Sequence, residues 1–139
     1  FRNVLCVSFL NRELLMVKVL IVDDSKEFRK KVKTLLINKG LDVSEKENGR
    51  EGYELFKENN SFNLLIVDHH MPEMDGLAML KKIREEEIEV PPIIMLTTET
   101  DPDFKREIKT IGIDFFMLKP ISEKNLSRVI DKLTEKRPG

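Results

Sequence analysis

The sequence predicts an α/β fold: a doubly wound sheet of five parallel strands with helices on both faces. Two observations carry that expectation. Short apolar runs alternate five times with segments of helical period, which is the pattern of strand–helix units. The two runs that look central are apolar throughout, as strands covered on both faces must be.

The first strand is read at 17–23, "VKVLIVD", a β-branched run of strand length. In the segment after it, Phe28, Val32, Leu35 and Leu36 fall on one helical face, and Gly40 is placed to end the helix. Residues 41–47, "LDVSEKE", alternate apolar and polar like a half-exposed edge strand. Asn48 with Glu51 three residues on marks the second helix start. Residues 62–68, "FNLLIVD", are the third strand, and Asp75-Gly76 opens a helix with Leu77, Leu80 and Ile83 inward. Residues 91–97 read as the fourth strand, with proline tolerated at its start. Asp101-Pro102 is an N-cap and first-turn pair, and Phe104, Ile108 and Ile111 form that helix's inner face. Residues 113–119 are the fifth strand, and Ser122 caps a last helix carrying Leu126, Val129, Ile130 and Leu133.

At 139 residues the chain suits one domain with a sizeable core. A formal net charge of -1 excludes a global basic field that would draw it to nucleic acid or an anionic membrane. Cys6 is the single cysteine, so no internal disulfide forms, and the count fits a reducing, cytoplasmic compartment. No apolar run approaches the ~20 residues that span a bilayer. Residues 1–15 read as a leader outside the fold, a mis-called start or a foreign remnant, because a compact domain begins naturally at Met16; the domain is expected over 16–137.

Ligands of such folds bind beyond the carboxyl ends of the strands. The first strand ends in Asp23 and Asp24, the third in Asp68, the fourth in Thr97 and the fifth in Lys119. Three converging carboxylates repel one another unless a cation sits among them. Mg²⁺ suits, as a hard ion that takes one or two carboxylates and keeps several waters. With the ammonium of Lys119 opposite and the Thr97 hydroxyl at hand, the Asp68 carboxylate is equipped to accept a phosphoryl group.

The blocks "VLIVDDS", "LLIVDHHMPEMDG", "IIMLTTE" and "FFMLKP" together resemble the signature blocks of response-regulator receiver domains of two-component signalling. Each alone is unspecific; the four in this order and at these intervals are specific, and the resemblance covers essentially all of 16–137. It implies a flavodoxin-like sheet of order 2-1-3-4-5 with five helices. It implies Asp68 as phosphoacceptor, with Asp24 and Asp68 binding Mg²⁺ directly alongside the backbone carbonyl of His70. Asp23 would orient a metal-bound water, Lys119 would contact the phosphoryl group, Thr97 would move to hydrogen-bond it, and the Lys119–Pro120 peptide would be cis. The phosphodonor is expected to be a sensor histidine kinase or phosphotransfer protein. Output is expected through a downstream protein at the face from Asp101 to Lys132, or through a domain missing from this chain, with no direct contact to nucleic acid or membrane. Such a domain assists its own phosphorylation without turning over an independent substrate, so it is not counted as an enzyme.

Blander readings stand beside these. Asp24 alone would cap the first helix with Glu27 completing the box, Lys119 alone would be a solvated charge, and Thr97 alone an ordinary strand residue. Alternation after the strand predicts that the side chains of His69 and His70 diverge. His70 is expected to modulate the phosphoaspartate lifetime near neutral pH, against a solvated loop histidine or an extra ligand for Zn²⁺ or Mn²⁺. Phe116 offers only apolar contact where relatives carry tyrosine or phenylalanine. The rival functions are a haloacid-dehalogenase-type phosphatase, which needs a second acid two residues beyond Asp23, an FMN-binding electron carrier, and a receiver-like module that signals without phosphate.

Overall fold

The apolar runs become strands and the periodic segments become helices. In the computed structural model, which describes residues 16–135, the order is β1 (Lys18–Val22), α1 (Lys26–Asn38), β2 (Asp42–Lys46), α2 (Gly49–Glu58), β3 (Leu64–Asp68), α3 (Gly76–Glu85), β4 (Ile93–Thr97), α4 (Pro102–Ile111), β5 (Phe115–Leu118) and α5 (Glu123–Thr134). The leader assigned to 1–15 and the last two residues of the expected domain lie outside the described residues.

The five strands form one parallel sheet in the order β2-β1-β3-β4-β5. Strand side chains alternate between faces, and the core divides accordingly. Leu20, Val22, Leu65, Val67, Ile93 and Met95 face α2, α3 and α4, where they meet Phe56, Leu80 and Ile108. Val19, Ile21, Leu64, Ile66, Ile94 and Leu96 face α1 and α5, where they meet Val32, Leu36, Leu126 and Ile130. Every one of those strand residues is at most 1% exposed. Burying a side chain of this size is worth about 1.5–3 kcal/mol, so both faces contribute heavily to stability.

The helix starts are built as the sequence suggests. Asn48 accepts from the Glu51 amide, Asp75 from Ala78, Asp101 from Asp103 and Ser122 from Asn125. One blander reading is overturned: α1 is capped by Ser25, whose Oγ accepts from the Phe28 amide, so Asp24 does not cap it. The reason is one of register, since the first helical residue is Lys26 and the cap directly precedes it. Gly112 ends α4 at φ 85°, a left-handed conformation that glycine adopts without a Cβ penalty.

The edge strand β2 differs from its clean alternation. Only Asp42 is exposed, and Val43, Ser44, Glu45 and Lys46 are all half-buried. Glu45 is held by Arg29 at 2.9 Å and Lys33 at 3.0 Å, so side chains of α1 cover the polar residues. Those two hydrogen bonds hold the Glu45 carboxyl below the usual carboxylate range.

Register brings the strand ends level. Val22 pairs with Val67, so the next residues, Asp23 and Asp68, sit side by side. Thr97 pairs with Leu118, so Lys119 follows one step beyond it. Among the described residues, no helix is long and apolar enough to cross a membrane.

Candidate functional site

The sheet edge gathers the five residues named from the strand ends. Asp23, Asp24 and Asp68 each offer a carboxylate oxygen, and those oxygens lie within 4.8 Å of one another. Asp23 is 1% exposed and Asp68 3%, whereas Asp24 is exposed. Lys119 Nζ reaches both buried acids, at 3.2 Å from Asp23 Oδ2 and 3.3 Å from Asp68 Oδ1. Its ammonium also lies 5.0 Å from the centroid of the Phe28 ring, a cation–π contact.

Backbone bonds hold these groups in place. Lys119 N–H donates to Thr97 O at 2.8 Å, and Asp23 N–H donates to Lys46 O at 3.1 Å. Asp23 Oδ1 accepts from the Ser25 amide at 2.8 Å, which fixes the carboxylate at the top of α1. The Thr97 side chain is fully buried, and its Oγ1 accepts from the Glu99 amide at 2.9 Å. The Lys119–Pro120 peptide is cis.

The electrostatics follow from burial first and from crowding second. Burial pushes the Asp68 carboxyl up from 3.8 to about 6, the Asp23 charge adds to the rise, and Lys119 opposes it. An acid so raised is under charge stress that a cation relieves. Three carboxylates of hard oxygen, two of them buried and all facing one point, fit Mg²⁺ better than a softer ion.

The loop after β3 corrects one expectation. His69 and His70 do not diverge; their rings meet edge to face with centroids 4.7 Å apart. β3 ends at Asp68, so strand alternation stops there and the backbone turns toward α3. His70 is exposed. His69 is largely covered, and burial holds its imidazole below the usual histidine value despite the Asp75 carboxylate 3.9 Å from Nδ1. Nδ1 accepts from the Leu77 amide at 3.4 Å, so the proton of the neutral ring sits on Nε2. The turn passes so close to β3 that a Cβ on Gly76 would sit 2.4 Å from Asp68 O and 3.0 Å from His69 Cα.

Three neighbours of the site were not singled out by sequence reasoning for roles there. Arg29 Nη1 donates to Asp23 O at 2.7 Å while its Nε bonds Glu45, tying β1's end to β2. Phe28 underlies Lys119, and Phe104 covers His69 with centroids 4.4 Å apart. Phe28 and Phe104 look like helix-face residues and Arg29 like a surface charge; nothing in the sequence distinguishes them before the sheet order is known. Phe115 and Phe116 pack on opposite faces of the sheet.

Comparison with known proteins agrees with this geometry. Residues 19–131 match the family model described as "Response regulator receiver domain". A chemotaxis protein CheY homolog of Campylobacter jejuni is 39% identical over 119 residues, covering 82% of this chain and 89% of that protein. The transcriptional regulatory protein SrrA of Staphylococcus aureus is 36% identical over 109 residues, covering 78% of this chain but 44% of that longer protein. Among solved structures, Vibrio cholerae chemotaxis protein CheY4 superposes with a TM-score of 0.75 at 34% identity, over 85% of this chain and 98% of that one. The Francisella response regulator 1452 receiver domain gives 0.77 at 28%, over 86% and 98%.

Proposed function

The chain belongs to the response-regulator receiver family, and from that premise we propose that it relays a signal by taking a phosphoryl group onto Asp68 in a Mg²⁺-dependent reaction. The observation that carries this reading is the meeting of Asp23, Asp24, Asp68 and Lys119 within one small volume at the carboxyl edge of the sheet.

The donor is a phosphohistidine on a sensor histidine kinase or phosphotransfer protein. An Asp68 carboxylate oxygen attacks phosphorus, an O–P bond forms, and the N–P bond breaks. The imidazole leaves with the electron pair and takes up a proton. Asp24, Asp68 and the His70 carbonyl would hold Mg²⁺, with Asp23 orienting a bound water. When bound, the ion supplies positive charge against the crowded acids and the transferring oxygens.

Lys119 needs no rearrangement of the backbone to act. Its ammonium already lies against Asp68 and can follow charge from the carboxylate to the phosphoryl oxygens. Thr97 Oγ1 accepts from an amide, which leaves its own proton available to donate to a phosphoryl oxygen. Hydrolysis reverses the state: water attacks phosphorus, the O–P bond to Asp68 breaks, and phosphate leaves with the carboxylate restored. The domain at 16–137 thus switches itself without processing a separate substrate, in the cytoplasm where its donors reside. Output passes to a downstream protein or an attached domain at the Asp101–Lys132 face formed by α4, β5 and α5. Only a difference in affinity between the two states is signal.

The phosphatase alternative required an acid two residues beyond Asp23. Ser25 stands there, and its hydroxyl caps α1. The test is labelling by a small phosphodonor with and without Mg²⁺. Incorporation of one phosphoryl group labile to alkali and hydroxylamine in the wild type, absent in Asp68→Asn and absent without metal, is the expected result. Label that survives in Asp68→Asn, or none in the wild type with metal, contradicts the proposal.

A further inference from the structure

His69 is bonded directly to Asp68, and its backbone is fully committed. Its N–H donates to Leu96 O at 3.0 Å, and its carbonyl accepts from the Gly76 amide at 2.9 Å. Its side chain, 12% exposed, gives Nδ1 to the Leu77 amide and lays its ring on Phe104. One residue therefore touches β4 beside Thr97, the start of α3 and the first turn of α4. Phe104 then meets Phe116 on β5 with centroids 6.3 Å apart, so three rings run from the phosphoacceptor's neighbour to the far strand.

From this continuity we infer that His69 is a positioning residue whose ring carries a change at Asp68 to α4. The inference rests on the phosphoacceptor reading of Asp68. The physical basis is packing. A covalent group on Asp68 shifts the peptide that joins it to His69. The covered imidazole has little room to turn away, and Phe104, 9% exposed, takes up the displacement. α4 links β4 to the edge strand β5, and its N-terminal turn faces solvent at Asp101, Pro102 and Asp103, so that turn is where a displacement of Phe104 can be taken up. The amide-binding nitrogen and the ring tilted against Phe104 are separate functions of the same side chain, and the ring is the one that reaches α4.

Substitution separates the two. His69→Phe keeps a ring on Phe104 and removes the acceptor for Leu77 N–H. His69→Asn keeps an acceptor and removes the ring. Phe104→Leu cuts the contact from the α4 side. In each variant, phosphorylation by a small phosphodonor with Mg²⁺ is measured by intact mass. Amide hydrogen exchange at 103–106 is then compared before and after phosphorylation.

All four proteins are expected to reach equal phosphorylation. The phosphorylation-linked change in exchange at 103–106 stays near wild-type size in His69→Phe. It falls about three- to tenfold in His69→Asn and Phe104→Leu, the factor that loss of one aromatic pair corresponds to. The double variant His69→Asn/Phe104→Leu falls no further than either single one, because both break the same contact. A full-sized response in His69→Asn and Phe104→Leu at equal phosphorylation overturns the role of the ring and leaves the phosphoacceptor reading standing. Absence of phosphorylation in the wild type overturns both.

Discussion

Asp68 is held near pH 6 by burial and by Asp23, so its ionised form destabilises the metal-free protein. Its folded pKa lies above the unfolded value of 3.8, and the folded state therefore binds the proton more tightly. The contribution of this group is fully present below pH 3.8 and is lost as pH rises to about 6. The rise corresponds to about 3 kcal/mol undamped, and solvent on the open side of the site reduces it to about 1–2 kcal/mol. Asp68→Asn removes the charge with little change of shape. At pH 8 without metal it is expected to be more stable than wild type by that amount, or roughly 3–10 °C in Tm for a domain of this size. Near pH 4 the two proteins converge, since the wild-type acid is then largely protonated. Mg²⁺ at about ten times its dissociation constant returns about 1.4 kcal/mol to the wild type and narrows the gap. Thermal and urea unfolding across pH 4–8, with and without Mg²⁺, read all three effects. Equal midpoints at pH 8 without metal, or a gap that persists unchanged at pH 4, would refute the charge-stress argument.

Lys119→Met removes the cation that opposes the rise at Asp68, and carboxyl ¹³C titration should show the metal-free pKa moving above its wild-type value of about 6; an unchanged or lower value counts against the ion pair. Gly76→Ala forces a Cβ toward Asp68 O at 2.4 Å and should destabilise by about 1–3 kcal/mol in urea, whereas a neutral outcome would mean the α3 start yields freely. Asp24→Ala takes an exposed carboxylate from the acid cluster, so calorimetry should find Mg²⁺ affinity at least about tenfold weaker with metal-free stability nearly unchanged. His70→Ala is expected to alter the rate of phosphoaspartate hydrolysis between pH 6 and 8; an identical profile makes His70 a solvated loop residue.

Most of the fold was legible because local signals and the global pattern agreed. Strand-length apolar runs marked β1, β3 and β4, and Asn48, Asp75, Asp101 and Ser122 stood where helices begin. Asp23, Asp68, Thr97 and Lys119 were readable as a group because parallel register forces consecutive strand ends to one edge. What escaped depends on pairing across the fold. Ser25 and Asp24 are both competent caps by composition, and only the position of the first helical turn chooses Ser25. The burial of Glu45 follows from Arg29 and Lys33 reaching over from α1. The meeting of His69 with His70 and Phe104 follows from a turn that no periodicity describes.

The central claim is that a cation stabilises the ionised form of crowded, buried acids. Mg²⁺ titration by calorimetry in buffers of different ionisation enthalpy, repeated from pH 5.5 to 8, tests it most directly. With Asp68 near 6, binding should release ~0.8 proton per ion at pH 5.5 and close to none at pH 8, with affinity rising between them. Absence of Mg²⁺ uptake, or uptake of equal affinity in wild type and Asp68→Asn with no proton released, would contradict the account.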